Sequence, residues 1–115
     1  NGGFLKGKNI NDKGLSFGEN SIGEILNIDF QHTRLGVAVK DGSKLKLLNY
    51  KLQNNEYDLA VFNKKNEYEG SSLNISNPIE NNELKFLIGF KNSIIKDNIY
   101  LNEKIDNKKI NRLFY

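Results

Sequence analysis

The sequence predicts an all-β domain built as an antiparallel β-sandwich of about seven to nine short strands. Three observations predict it. Apolar residues take every second position along short segments, as in Tyr57, Leu59 and Val61, or Leu84, Phe86, Ile88 and Phe90. That period is what a half-buried strand requires, because successive side chains project to opposite faces. The segments recur at a spacing of roughly 8–12 residues, the rhythm of a sandwich or barrel. Between them stand clusters of Asn, Asp and Gly, residues that tolerate the left-handed backbone of tight turns.

Taken in order, Phe4 to Ile10 is a Lys- and Gly-rich first strand with the composition of a sheet edge. Asn11-Asp12-Lys13-Gly14 is a turn. Gly23 to Phe30 sets Leu26, Ile28 and Phe30 on one face against Ile25, Asn27 and Asp29 on the other. A helix somewhere in 21–39 is the competing reading, and Gly23, Gly36 and the β-branched residues oppose it. Leu35, Val37 and Val39 form the next inward row. Asp41-Gly42 then turns the chain into Leu45 and Leu47, and Asp-Gly between alternating runs is a strong hairpin signal. Residues 33–50 are therefore read as a hairpin.

Tyr57–Phe62 and the segment reaching Tyr68 form a second hairpin around 63–66. Leu73 and Ile75 lie in a strand that ends before Pro78, the only proline. Leu84 to Phe90 and Ile99 to Leu101 follow, and the tail from Lys104 to Tyr115 adds a last strand or docks on a neighbouring chain. No linker or internal repeat divides the sequence, so residues 1–115 are read as one domain. At this length a single core can form without staples, consistent with the absence of cysteine.

The composition narrows the function classes. Asn, Ile and Lys make up 46 of the 115 residues, the mark of an AT-rich, low-GC bacterial genome, so the net charge of +3 reflects codon usage. Lysine is interleaved with Glu and Asp, and only Arg34 and Arg112 are arginines. Nucleic-acid surfaces favour clustered arginine, so no nucleic-acid partner is expected. No apolar run approaches the ~20 residues of a membrane helix, so no direct membrane insertion is expected. The opening Asn1-Gly2-Gly3 reads as a processed chain or an excised domain.

Catalysis has few candidates, and the chain is read as not an enzyme. His32 is the sole histidine, and its place beside Thr33 suits a solvated turn residue. No serine lies in a Gly-x-Ser-x-Gly elbow. Glu56 and Asp58 share a strand face opposite Tyr57, Leu59 and Val61, which sends both carboxylates to solvent; Glu67 and Glu69 behave alike around Tyr68. Calcium needs 6 to 8 oxygen ligands in one place. Asn11/Asp12, Asp97/Asn98 and Asp106/Asn107 each offer one or two, and turn formation accounts for them. The glycines form no phosphate loop. No cofactor and no metal are expected.

The aromatic residues carry the binding expectation. Tyr50, Tyr68 and Tyr100 fall opposite their strands' apolar rows, where exposed rings would contact a protein or a glycan.

The stretch Leu48-Asn49-Tyr50-Lys51-Leu52-Gln53-Asn54-Asn55, followed by Tyr57 to Tyr68, resembles the immunoglobulin-like accessory domains of secreted bacterial proteins. Glu83 to Phe90 with Asp97 to Leu101 is similar to the last two strands of such modules. The likeness spans about residues 44–103 and lacks the core Trp and paired Cys of antibody-type domains. It implies an immunoglobulin-like or jelly-roll sandwich at the cell surface. Asp29-Phe30-Gln31-His32-Thr33-Arg34 also resembles the join between helix and sheet in minor pilins or pseudopilins.

These observations together lead to a non-catalytic, extracellular or cell-envelope module that contacts another protein or its own copies. A carbohydrate-binding jelly roll is the first alternative, and a pilin soluble domain without its N-terminal helix is the second.

Overall fold

A computed structural model describes residues 5–8, 13–79 and 83–115, with residues 5–8 described by their backbone alone. Its strands are β1 (Leu5–Lys8), β2 (Lys13–Phe17), β3 (Ile22–Gln31), β4 (Leu35–Lys40), β5 (Lys44–Gln53) and β6 (Tyr57–Phe62). They continue as β7 (Ser72–Pro78), β8 (Phe86–Gly89), β9 (Ser93–Lys96), β10 (Ile99–Leu101) and β11 (Lys104–Ile105), and the helix α1 (Asn107–Phe114) follows. One sheet has the order β1-β3-β5-β7-β9-β10 and the other β11-β8-β6-β4-β2.

From β1 to β9 consecutive strands thus lie in opposite sheets, and β1 to β7 each pair with the strand two places on; β10 then pairs with β9, and β11 with β8. All pairings are parallel except β9 with β10. The chain winds as a β-helix, each coil laying one strand in each sheet. The expected antiparallel sandwich, immunoglobulin-like or jelly-roll, is therefore wrong, although the β content is right. Alternation reports which face is buried and carries no information on strand direction.

The expected hairpin over residues 33–50 is likewise absent. Asp41 and Gly42 do have left-handed backbone, at φ 55° and 79°, but the corner they make sends β5 into the opposite sheet. Asp41 serves stacking instead. Its carbonyl accepts from Asn20 N–H at 2.9 Å, and its Oδ1 accepts from the backbone N–H groups of Lys64 and Lys65, each at 2.8 Å. Residues 63–66 belong to the loop between β6 and β7 and close no hairpin. The turn expected at 11–14 lies partly outside the described residues, and Lys13 and Gly14 open β2.

A repeat underlies the winding, contrary to the sequence reading. Leu15 pairs with Val37 and Val37 with Leu59, and corner partners such as Ser21 and Ser43 stand 22 residues apart. The next coil is longer, with Ser43 and Ser71 separated by 28 residues. Within β3 and β5 a single left-handed residue, Asn27 (φ 62°) or Asn49 (φ 58°), bends the strand, and Asn77 (φ 58°) occupies the matching place in β7. Asparagine suits this backbone because its short side chain can hydrogen-bond locally.

That bend shifts the side-chain parity. Ile25 packs inward before Asn27, whereas Ile28 and Phe30 pack inward after it. Leu26 was expected to share the face of Ile28 and Phe30, and it does not join the core. The same shift after Asn49 turns Tyr50 and Leu52 into the interior. Between the sheets these residues meet Val37, Val39, Leu59, Val61, Leu73, Ile75, Ile88 and Ile94 in one core.

The outer face of the second sheet is apolar too, and α1 covers it. Ile110 and Phe114, four residues apart on one helix face, pack with Leu35, Ala38, Ala60 and Phe62. Tyr57 meets Phe114 edge-to-face at 5.7 Å between centroids. Burying both α1 side chains contributes roughly 1.5–3 kcal/mol each. The expected last strand over 104–115 is thus two residues of β11 and then a helix. Asp106 caps it, accepting from Lys108 N–H at 2.9 Å, and Arg112 stands in its last turn, where a cation suits the carbonyl end. Residues 21–39 hold β3, a corner and most of β4, and no helix, as preferred.

Candidate functional site

The corners of the coils hold the buried polar residues, and coil-to-coil hydrogen bonds occupy most of them. At one corner Ser21 N–H donates to Ser43 Oγ at 3.1 Å, Ser43 N–H to Ser71 Oγ at 3.1 Å, and Ser71 N–H to Asn92 Oδ1 at 2.7 Å. Each rung satisfies a backbone donor that the turn withholds from the ladder. Below them, Asn92 Nδ2 donates to Asn63 Oδ1 at 2.9 Å and Phe90 O at 2.8 Å, and Asn63 N–H donates to Asn107 Oδ1 at 2.8 Å. This asparagine cluster fastens the 63–70 loop and the start of α1 to the stack.

The opposite corner, between β5 and β6, contains the buried carboxylate Asp58. Thr33 N–H and Oγ1 donate to Asn55 Oδ1 at 2.8 and 2.7 Å, and Asn55 Nδ2 donates to Asp58 Oδ1 at 3.0 Å. Asp58 Oδ2 accepts from Lys85 N–H at 2.9 Å. Asp58 is 4% exposed, so it does not face solvent as expected. It breaks the simple alternation because the chain is still rounding a corner there. Burial pushes its carboxyl above the ordinary range, while the Lys85 N–H, Asn55 and the Lys85 charge pull the other way. A cavity of about 230 Å³ adjoins it, lined also by Gln53, Asn54, Glu83 and Lys85. Asp58 Oδ2 joins its coil to the next through Lys85, and Oδ1 braces Asn55 within the same corner. Glu56 is exposed and pairs with Arg34 at 3.5 Å.

A second constellation gathers at the end of α1. The ammonium groups of Lys13, Lys40 and Lys64 lie 4.0, 4.5 and 4.1 Å from the centroid of the Tyr115 ring. Lys40 Nζ also donates to the Tyr115 hydroxyl at 2.5 Å. Each cation gains about 0.5–1 kcal/mol from the ring's negative face at an exposed site. Burial alone would raise the Tyr115 phenol; the Lys40 hydrogen bond and charge, the Lys13 charge and the Ser16 hydroxyl bring it below its ordinary value. A groove of about 450 Å³ opens beside this cluster. Sequence reasoning missed it, because the three lysines come from three successive coils and only the stacking unites them.

The three expected contact residues do not assemble. Tyr50 is 2% exposed, in the core, with its hydroxyl lacking a hydrogen-bond partner among the described residues; burial and then the Asp97 charge push its phenol up to about 12. Tyr68 is half-buried in the 63–70 loop, 3.7 Å from where a Cβ on Gly42 would stand. Tyr100 is exposed on the edge strand β10. His32 is exposed at a left-handed corner, φ 57°, its N–H donating to Gln53 O at 3.3 Å. Of the turn pairs weighed for calcium, Asp97 and Asn98 bend β9 into β10 and Asp106 caps α1, while Asn11 and Asp12 lie outside the described residues. Among the described residues no group of three or more His, Asp or Glu side chains is placed to hold a metal ion. No described helix is long and apolar enough to cross a membrane.

In comparisons with known proteins the chain is matched by no family model, by no curated protein and by no solved structure.

Proposed function

We propose that this chain is a non-catalytic β-helical module that works by contact with its own copies or with another protein, in an extracellular or cell-envelope setting. The observation that carries this reading is the end of the first sheet. There β10 turns back antiparallel on β9 and pairs with no other strand among the described residues. Its side chains Ile99 and Tyr100 are 68% and 61% exposed. An edge strand offers a row of backbone donors and acceptors to an incoming strand, and exposed apolar side chains beside it add area to such a contact. The non-catalytic half of the reading is supported by the buried polar residues, whose hydrogen bonds are spent joining one coil to the next or bracing its corners.

The test is molar mass by light scattering across a concentration series. Self-contact through β10 predicts a mass that rises with concentration, and an Ile99→Lys/Tyr100→Lys variant that stays monomeric. A wild-type mass that never departs from the monomer removes self-assembly through this edge.

A further inference from the structure

We propose that the groove flanked by β2, β4 and the loop after β6 binds a tetrahedral oxyanion, a phosphate or sulfate group. Three ammonium groups share one aromatic ring there, so any two lie within roughly 9 Å, about one Debye length at ordinary salt. Lys65 stands beside them, lining the same groove as Ser16, Lys40 and Lys64. The acidic residues of the groove are already engaged. Glu19 pairs with Lys65 at 3.3 Å, and the buried Asp41 holds two backbone N–H groups through Oδ1. Lys40 and Lys64 meet no carboxylate at ion-pair distance among the described residues.

For Lys40 and Lys64, the ring and the single Tyr115 hydroxyl offset only part of their mutual repulsion. A compact anion with several acceptor oxygens answers the rest, because lysine acts as a point charge that several oxygens can approach from different sides. The groove opens to solvent and has room for such a group. The site depends on the winding: Lys13, Lys40 and Lys64 stand on successive coils and have no common element.

The experiment is an amide and aromatic NMR titration of the intact chain with inorganic phosphate, inorganic sulfate and glucose 6-phosphate, against chloride at matched ionic strength. The expected result is saturable shifts confined to Ser16, Gly18, Asp41, Lys64 and the Tyr115 ring. Lys40→Gln/Lys64→Gln should weaken binding about tenfold or more, whereas Lys40→Arg keeps the charge and should keep binding. Tighter binding of the sugar phosphate than of phosphate identifies an ester as the ligand, and equal binding identifies the free anion. Shifts that track ionic strength at every lysine, with chloride as effective as phosphate, would overturn the site. Should the double variant fail to fold, the localisation and saturation of the wild-type shifts still decide.

Discussion

Tyr50 and Asp58 are two residues whose surroundings differ most from what their neighbours in sequence imply. The Tyr50 hydroxyl is buried without a partner among the described residues, and an unsatisfied buried hydroxyl costs about 1–3 kcal/mol. Tyr50→Phe, which keeps the ring in the core, is therefore expected to raise stability by about 1 kcal/mol, read as a higher urea midpoint at unchanged slope. Asp58 supplies a pH signature. Its folded carboxyl titrates above the ordinary 3.8 because of burial, so folding takes up a proton between the unfolded and folded pKa values. Stability consequently falls as pH rises from about 3.8 to the raised value, and is level above it. In Asp58→Asn that acid-range slope should vanish, leaving a pH-independent loss from the altered hydrogen bonds. Urea unfolding of both proteins between pH 3 and pH 7 measures it, and equal slopes would contradict the assignment. Neither environment was legible in the sequence, since a residue's face was read by counting in twos, and the bend at Asn49 resets the count before Tyr50 as the corner at Asn54 and Asn55 does before Asp58.

At the scale of elements, the strands themselves were largely legible, and their partners were not. The segments around Leu35–Lys40, the first part of β5, Tyr57–Phe62 and Ile99–Leu101 were recognisable from alternation, whereas Lys51 to Gln53 were read as a connection. Asp41-Gly42 misled because the same left-handed pair can close a hairpin or round a coil. The signal that separates the two was present: Ser21 and Ser43, and Asn27 and Asn49, recur at one interval. It was faint because aligned core positions share only apolar character, as with Leu15, Val37 and Leu59. The tail helix was missed although Asp106, Ile110 and Phe114 are spaced as a cap and two helical face residues. Substitutions at two positions probe these elements. Asn49→Val places a β-branched residue at φ 58° and should cost about 1–2 kcal/mol, whereas Asn49→Gly should be nearly neutral. Phe114→Ala should cost about 2–4 kcal/mol by opening the α1 interface; thermal melts of the three variants rank them.

For the molecule as a whole, stability is distributed along the stack, each coil touching its neighbours above and below. Strand β5 is bonded on both sides, to β3 and β7, while β10 is bonded, among the described residues, only to β9. Native-state hydrogen exchange should therefore show β5 amides slowest and β10 amides among the fastest. Equal protection in the two would mean that the coils open only together. The two exposed features with functional promise sit on different parts of this stack: an apolar strand edge at its end, and a basic groove on its flank.

The coil that grows from 22 to 28 residues adds its surplus between Asn63 and Ser71, and the strands on either side keep their pairing. Length is thus negotiable where the chain rounds an edge and fixed where it runs straight. Foreign peptides spliced into that bend should be displayed without unseating the layers beneath.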